Sequence, residues 1–164
     1  MLASLFATLI VGNSCQLPRM QAMAAAAHRI QEESVIQETV IRHLLVELKR
    51  NPKWAVYFLA LGEKDPTKSF LEKFENHEPV VKPVSESKQD TSSADWALYS
   101  VRDKTTSAIG VIVHVEPARF DRKDKATIEV DYHSGGRNAL WYVYSLAKWK
   151  GRWHIKGRKM TAIS

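Results

Sequence analysis

The stretch ATIEVDYHSGGRNALWYVYSLAKWKGRWHIKGRKM, residues 126–160, decides the fold. In its first eight residues Ile128, Val130 and Tyr132 alternate with polar or charged residues. Such alternation is typical of a strand with one packed face and one solvated face. The glycines at 135–136 and 151 predict turns because glycine accepts positive φ. Residues 126–160 therefore predict three consecutive antiparallel strands.

Further strands are predicted upstream of this stretch. Residues 140–149, the middle strand of the three, are apolar on both faces, so we expect that strand to lie centrally in a curved sheet. Residues 96–102 and 109–120 predict two more strands. Residues 54–61 are short, apolar and rich in aromatic residues, which predicts another strand.

A long helix precedes the sheet, over residues 22–49. Ile36, Val40, Leu44 and Leu48 recur at four-residue spacing and form one apolar stripe. Asn51-Pro52 ends this helix. A short helix follows to about residue 76, with Asp65 as its cap and Pro66 at its first position. Residues 78–95 contain prolines and a polar run and predict an extended, mobile loop.

These elements predict one α+β domain over residues 25–164. In it, a long N-terminal helix packs against a curved antiparallel sheet, with one further short helix. The length of 164 residues fits a single domain, and the 45% hydrophobic and 26% charged residues are ordinary for a folded protein.

The N-terminus resembles an export signal. Residues 2–11 form an apolar run that is too short to span a bilayer, although basic residues before it are missing. We expect residues 1–24 to be a leader, either lipidated at Cys15 or cleaved near the small residues at 22–24. A misassigned start or a disordered tail is the alternative. Cys15 is the single cysteine, so an internal disulfide and a cysteine-type zinc site are excluded.

The order of elements resembles the cone-shaped NTF2-like domains, in which a curved sheet wraps a long helix; a cystatin-like arrangement fits the same order. The segment from Val56-Tyr57-Phe58-Leu59 to Ser85 and the closing residues Tyr144, Gly151, Trp153 and 159–164 resemble uncharacterised small bacterial proteins that are often exported. This second likeness covers residues 34–164. It implies export, to the periplasm or to a lipid-anchored position, and it implies no activity.

The excess positive charge lies in one segment. The net charge is +6, with 24 basic and 18 acidic residues. Six of the basic residues fall in an acid-free segment, namely Lys148, Lys150, Arg152, Lys156, Arg158 and Lys159. Such a segment attracts anions, including a membrane surface or another anionic envelope component. A solvated hairpin face, neutralised by Asp121, Asp124 or Glu129 of neighbouring strands, is the plainer interpretation.

Three other groups of residues are candidates for chemistry. His77 follows the short helix, where it can bond free carbonyls or face a pocket. His114, Asp131 and His133 share the polar sheet face, where they could bind zinc or transfer protons, or simply face solvent. Tryptophans interleave with the basic segment as in some single-strand nucleic-acid sites, although such residues more often pack in the core; these are Trp141, Trp149 and Trp153.

Motifs for phosphate loops, nucleophile elbows and dinucleotide binding are missing from the sequence. We therefore expect a non-catalytic exported or envelope-associated binding or scaffold protein, without a cofactor. The alternative is a small-ligand binder or enzyme with its pocket inside the cone, between the 36–48 helix and the concave sheet. A second copy of the chain is a further candidate partner, and nucleic acid is disfavoured.

Overall fold

The computed structural model describes residues 16–95, 99–136 and 138–164. Within these ranges the chain forms two compact units, which divide between Glu32 and Glu33. Cys15 and the apolar run at residues 2–11 lie outside the described residues. The leader over residues 1–24, the lipid on Cys15 and the single domain over 25–164 therefore stay predictions.

Helix α1 (Gln16–Leu48) is the long helix expected from the four-residue spacing, and it begins at Gln16 rather than at residue 22. In the second unit its apolar stripe packs in one cluster with the sheet residues Tyr57, Val111 and Val113. Five side chains of the stripe are 0% exposed: Ile36, Val40, Ile41, Leu44 and Leu45. In the first unit, residues 19–31 of the helix are exposed.

The described residues form nine strands in one sheet. They are β1 (Val56–Leu61), β2 (Val80–Pro83), β3 (Ser87–Asp90), β4 (Ser100–Asp103), β5 (Ile109–Val115), β6 (Arg119–Arg122), β7 (Lys125–His133), β8 (Ala139–Trp149) and β9 (Arg152–Ile163). The main path runs β2-β1-β5-β7-β8-β9, while β4 pairs with β3 and β5, and β6 pairs with β7.

The α+β class is confirmed, but the prediction of a wholly antiparallel sheet is wrong. Strand β1 runs parallel to both of its neighbours, β2 and β5. The physical reason lies in the connection after β1. The short helix α2 (Lys68–Leu71) carries the chain back across the sheet before β2 begins, and parallel neighbours require such a crossover.

Local capping also differs from the prediction. Thr67, not Asp65, caps α2, because its side-chain oxygen accepts the amide of Phe70 at 3.3 Å. The Asp65 carboxylate instead accepts the amide of Ser85 at 2.9 Å, which ties the loop before α2 to a later segment.

Residues 78–95 were expected to form a mobile loop, and the structure corrects this. They contain β2, a short 3₁₀ turn (Val84–Glu86) and β3. An ion pair holds this segment in place, because the ammonium of Lys82 lies 2.7 Å from the carboxylate of Asp103 and 2.9 Å from that of Glu86. Asp103 is only 1% exposed. Tertiary contacts thus order a segment that is polar in sequence.

Two further strand predictions need correction. Residues 109–120 form two strands, β5 and β6, because Pro117 lies between them and lacks an amide to donate. Strand β8 is interior, as it pairs with β7 on one side and with β9 on the other, but it lies one place from the edge of the main path and not at its middle. Along β8 the residues Tyr142, Tyr144 and Leu146 are buried, so one face packs and the other is more exposed.

Candidate functional site

Two turns at one end of the sheet bring basic residues together. The β6–β7 turn and the β8–β9 turn are neighbours, because Lys125 pairs with Ala147 and the amide of Lys148 donates to the carbonyl of Asp124 at 2.8 Å. We call residues 121–125 and 148–152 the basic tip. It holds six basic residues against two acidic ones, the basic ones being Arg122, Lys123, Lys125, Lys148, Lys150 and Arg152.

Trp149 is the apolar feature of the basic tip. Its side chain is 60% exposed. The ammonium of Lys150 lies 4.5 Å from the centre of the indole ring, and the His154 ring makes an edge contact at 6.1 Å. Lys150 and Gly151 form the turn with φ values of 48° and 78°, a left-handed pair that suits a tight hairpin. The turn therefore presents an exposed indole beside the ammonium of Lys150.

The six predicted anion-binding residues are split by the structure. Lys148, Lys150 and Arg152 belong to the basic tip, where they join the β6–β7 turn. Lys156 lies at an irregularity between β8 and β9, and Lys159 pairs with Val143 further along β9. Lys156 and Lys159 are both exposed. Glu129 does not neutralise the hairpin, because its carboxylate bonds to Arg119 at 2.6 Å.

Arg158 has a different environment from the other five. Its guanidinium pairs with the carboxylate of Glu47 on α1 and lies 3.4 Å from the hydroxyl of Tyr144. It also covers the ring of Tyr142, with 4.5 Å between the guanidinium carbon and the ring centre. Burial disfavours the charge, but these oxygens more than offset it and raise the pKa of Arg158. Arg158 thus fastens β9 to the helix.

The three tryptophans considered for base stacking do not form one platform. Trp153 is 6% exposed and packs edge-on against Phe120 at 6.1 Å. Trp141 is 37% exposed and pairs with Asp131, near the end of β7 that is remote from the basic tip. Trp149 alone of the three lies at the tip. Stacking of successive bases needs several neighbouring aromatic faces, which these three residues do not provide.

His114, Asp131 and His133 do come together, as their positions in sequence predict. The Nδ1 atom of His114 lies 3.0 Å from one Asp131 oxygen, and that of His133 lies 4.0 Å from the other. Burial opposes ionisation of Asp131, yet bonds from both histidines lower its pKa. Across the described ranges, groups of three or more such side chains fit to hold a metal ion are not found. His114 and Asp131 thus form a half-buried pair across two neighbouring strands, on the sheet face opposite the buried valines, and His133 lies beside them.

His77 makes a side-chain hydrogen bond, but to the loop that follows the short helix and not to the free helix carbonyls that were expected. Its Nδ1 donates to the carbonyl of Pro79 at 2.8 Å. Its ring contacts the ring of Tyr57 at 5.7 Å between centres. Tyr57 is 0% exposed, and its hydroxyl makes no hydrogen bond to any other described residue. Burial raises the pKa of Tyr57.

Two open grooves lie at the opposite end of β7 and β8 from the basic tip. The first has a volume of about 370 Å³ and runs along the end of α1; the second has a volume of about 460 Å³ and runs over the strand ends. Asn51, Trp54 and Tyr132 line both grooves. Trp54 and Tyr132 meet edge to face, with 6.2 Å between ring centres and 71° between ring planes.

Tyr132 forms the inner wall of these grooves. Its ring stacks near Tyr142, at 6.2 Å and 21°. Burial and the neighbouring Tyr142 raise the pKa of Tyr132 to about 12, so its hydroxyl stays protonated at neutral pH. The first groove is lined by Glu47 and Leu48 at the end of the 36–48 helix and by Tyr132 of the sheet, so it lies at one end of the region where the pocket was predicted.

Sequence reasoning missed the residues that complete both surfaces. The charged run at 121–125 was treated as a neutralising neighbour, although three of its five residues are basic. To predict that the two turns are neighbours, one would need the register of the β7–β8 pair, in which Lys125 lies opposite Ala147. Trp54, Tyr132 and Asn138 carry no local motif, and only the fold brings them together.

Comparisons with known proteins add no relative. The chain shows no significant similarity to a family model, to a curated protein or to a solved structure. Of the described helices, none combines the length and hydropathy that crossing a membrane would need.

Proposed function

We propose that this chain is a non-catalytic, exported binding protein that docks on anionic phospholipid through its basic tip. The observation that carries the proposal is the meeting of the two turns, which brings six basic residues and the exposed Trp149 to one tip of the sheet. Basic residues near an anionic leaflet each contribute about 1 kcal/mol of attraction. Tryptophan is enriched at membrane interfaces because its ring is apolar and its N–H is polar.

Phospholipid fits the basic tip better than nucleic acid does. A membrane needs a compact cluster of charge with an apolar residue at its point, which describes the tip. A single strand needs a charged groove with successive aromatic faces. Trp153 is buried in the core and Trp141 lies near the other end of β7, so the aromatic faces required for base stacking are not aligned with the charge.

Other parts of the proposal rest on the sequence. The apolar run at residues 2–11 supports export, and Cys15 is the residue that a lipid anchor would use. We also infer that the domain is NTF2-like or cystatin-like, an assignment supported by the long helix packed on the sheet. A second copy of the chain stays a proposed partner. Intact mass of the mature protein would distinguish an acylated Cys15, cleavage near residue 24 and an uncleaved chain.

Vesicle co-sedimentation of the full chain tests the docking proposal. Binding to vesicles of phosphatidylglycerol and phosphatidylcholine is compared with binding to vesicles of phosphatidylcholine alone. An apolar leader would insert into both kinds of vesicle, so its contribution to binding cancels in the comparison. Charge attraction predicts that the preference for anionic vesicles is strong at about 0.01 M salt and lost at about 1 M, where the Debye length falls from about 30 to about 3 Å.

Two matched quadruple variants locate the charge. Replacing four tip residues with glutamine removes up to about 4 kcal/mol, roughly a thousandfold in affinity for anionic vesicles. The tip residues are Arg122, Lys123, Lys150 and Arg152. The control replaces four exposed lysines elsewhere, with the same change in net charge: Lys49, Lys64, Lys68 and Lys88. Arg158 is left intact because it fastens β9 to α1.

Trp149→Ala separates insertion from charge attraction. Removing the half-exposed indole loses about 1–2 kcal/mol of apolar burial in the interface, without a change in net charge. Equal losses in the tip variant and the control variant would refute the proposal, as would tighter binding of a single-stranded oligonucleotide than of anionic vesicles. Loss confined to the tip variant and Trp149→Ala supports it.

A further inference from the structure

We infer that the grooves on either side of Trp54 and Tyr132 bind a neutral carbohydrate chain. The inference does not depend on the docking proposal, because the grooves and the basic tip share no residue. Four features carry it: the aromatic corner, the neutral polar groups beside it, the open form of the grooves, and their continuity past Asn51.

The aromatic corner fits a sugar ring better than a flat aromatic ligand. Trp54 and Tyr132 meet edge to face at 71°, so they form a corner and not a parallel slot. A flat aromatic ligand would gain the most stacking energy between two parallel rings. A pyranose has a face of C–H bonds, which pack on the negative face of one aromatic ring, and a rim of hydroxyls, which point past its edge.

Neutral hydrogen-bonding groups surround this corner. The larger groove is lined by the side-chain amide of Asn138 and the hydroxyls of Ser100 and Ser134. Asn138 is exposed, and Ser100 and Ser134 are half-buried. Amides and hydroxyls can both donate and accept, which is what sugar hydroxyls require. A charged ligand would instead call for a cluster of like charge. Lys53 is the one side chain lining the larger groove that is charged at neutral pH, and the smaller groove is lined by one acid and one base, Glu47 and Arg50.

The grooves have the size and openness that a chain of sugars needs. Their volumes of about 370 and 460 Å³ fall in the usual range for ligand sites, about 300–1,000 Å³. Asn51 lines both, so a chain can pass from one to the other over the Trp54 edge. A sugar chain keeps one side hydrated, so a shallow groove is sufficient for it.

Polar contacts hold the wall of the corner in place before a ligand arrives. Tyr132 stacks on Tyr142, and the guanidinium of Arg158 lies over the Tyr142 ring while paired with Glu47. A rigid aromatic wall lowers the entropy lost on binding. Arg158 is therefore a positioning residue for the groove.

Calorimetric titration of the full chain with chitohexaose and with maltohexaose tests the inference, without vesicles. We expect one of the two to bind, and we expect Trp54→Ala to weaken that binding about tenfold. The matched control is Trp141→Ala, which removes a partly exposed tryptophan from outside both grooves. Its affinity should equal that of the unchanged chain.

Asn138→Ala keeps the test valid if Trp54→Ala fails to fold, because Asn138 is exposed. It should weaken binding about threefold to tenfold through the loss of hydrogen bonds. The inference is overturned if neither oligosaccharide binds at a concentration of about 10 mM. The dissociation constant would then exceed about 10 mM, which corresponds to a binding free energy weaker than about 3 kcal/mol. Equal losses in Trp54→Ala and Trp141→Ala overturn it as well. Failure here leaves vesicle binding unaffected, so the two proposals are tested separately.

Discussion

Removal of the Asp103 charge should destabilise the domain in a pH-dependent way. Asp103 is 1% exposed, and its carboxylate accepts the amides of Thr105 and Thr106 at 2.8 and 2.7 Å. Its second oxygen lies 2.7 Å from the ammonium of Lys82. The same group therefore closes the β4–β5 turn and holds β2, which joins a local turn to a distant strand.

The magnitude follows from these contacts. Asp103→Asn keeps the shape, but the two bonds from the turn amides lose their charge assistance, and charge-assisted bonds are roughly twice as strong as neutral ones. The ammonium of Lys82 also loses the carboxylate with which it forms an ion pair. A loss of about 1 kcal/mol per bond gives about 2–3 kcal/mol in the free energy of unfolding. Asp103→Ala should cost more, about 3–5 kcal/mol, because the amides of Thr105 and Thr106 lose their acceptor and Lys82 keeps only Glu86. For a domain of this size, Asp103→Asn corresponds to about 5–10 °C in Tm.

The dependence on pH gives the sharper signature. The bond from Lys82, together with those from the turn amides, outweighs burial and lowers the pKa of Asp103 below its ordinary value of 3.8. In acid, the unfolded chain therefore takes up the proton before the folded protein does. The stabilisation is present above about pH 4 and is lost as pH falls through the folded pKa. Asp103→Asn lacks this component, so its deficit relative to the unchanged chain should shrink below about pH 4.

Urea unfolding followed by tryptophan fluorescence, from neutral pH to about pH 3, measures both effects. The control is Asp90→Asn, whose carboxylate bonds to Arg102 at the same 2.7 Å distance but is 28% exposed. Water screens that pair, so the control should lose much less stability. A control loss as large as that of Asp103→Asn, or an Asp103→Asn deficit that stays constant down to about pH 3, would refute the reasoning.

Two further substitutions test packing. Gly110→Ala should lose about 1–3 kcal/mol, because its Cβ would lie 2.6 Å from a Phe58 ring carbon and 2.7 Å from the Val56 carbonyl oxygen. Gly157→Ala is its control, with only the Ser145 hydroxyl at 3.1 Å, and both are measured by thermal unfolding. Tyr57→Phe should raise stability by about 1 kcal/mol, since it removes a buried hydroxyl without a partner among the described residues; a lower urea midpoint would contradict this.

Patterns of short period were predictable from sequence. The four-residue stripe of α1 and the alternation of β7 each follow from side-chain direction within one element. The turn at 150–151 follows from its glycine. Such features depend on residues a few positions apart, and so a single sequence contains the information needed to find them.

Features that depend on distant pairing were not predictable. The parallel alignment of β1 is set by α2 and by neighbours that follow much later in the chain. The connector at 78–95 is ordered by Lys82 and Asp103, whose pairing has no sequence signal. The sequence alone groups Arg158 with the exposed lysines. Two register irregularities in the β8–β9 pair change which β9 side chains face α1, and simple alternation does not predict them. Its contact with Glu47 depends on that local geometry.

The two proposed surfaces lie at opposite ends of the same two strands, and this separation supports their independence. Lys125 begins β7 at the basic tip, and Tyr132 and His133 end it beside the grooves. A strand rises about 3.4 Å per residue, so the surfaces lie about 27 Å apart along β7. That distance exceeds the Debye length of about 8 Å at physiological salt, so the tip charges have little influence on a ligand in the grooves. A domain docked by its basic tip would therefore hold its grooves away from the membrane, open to a carbohydrate chain.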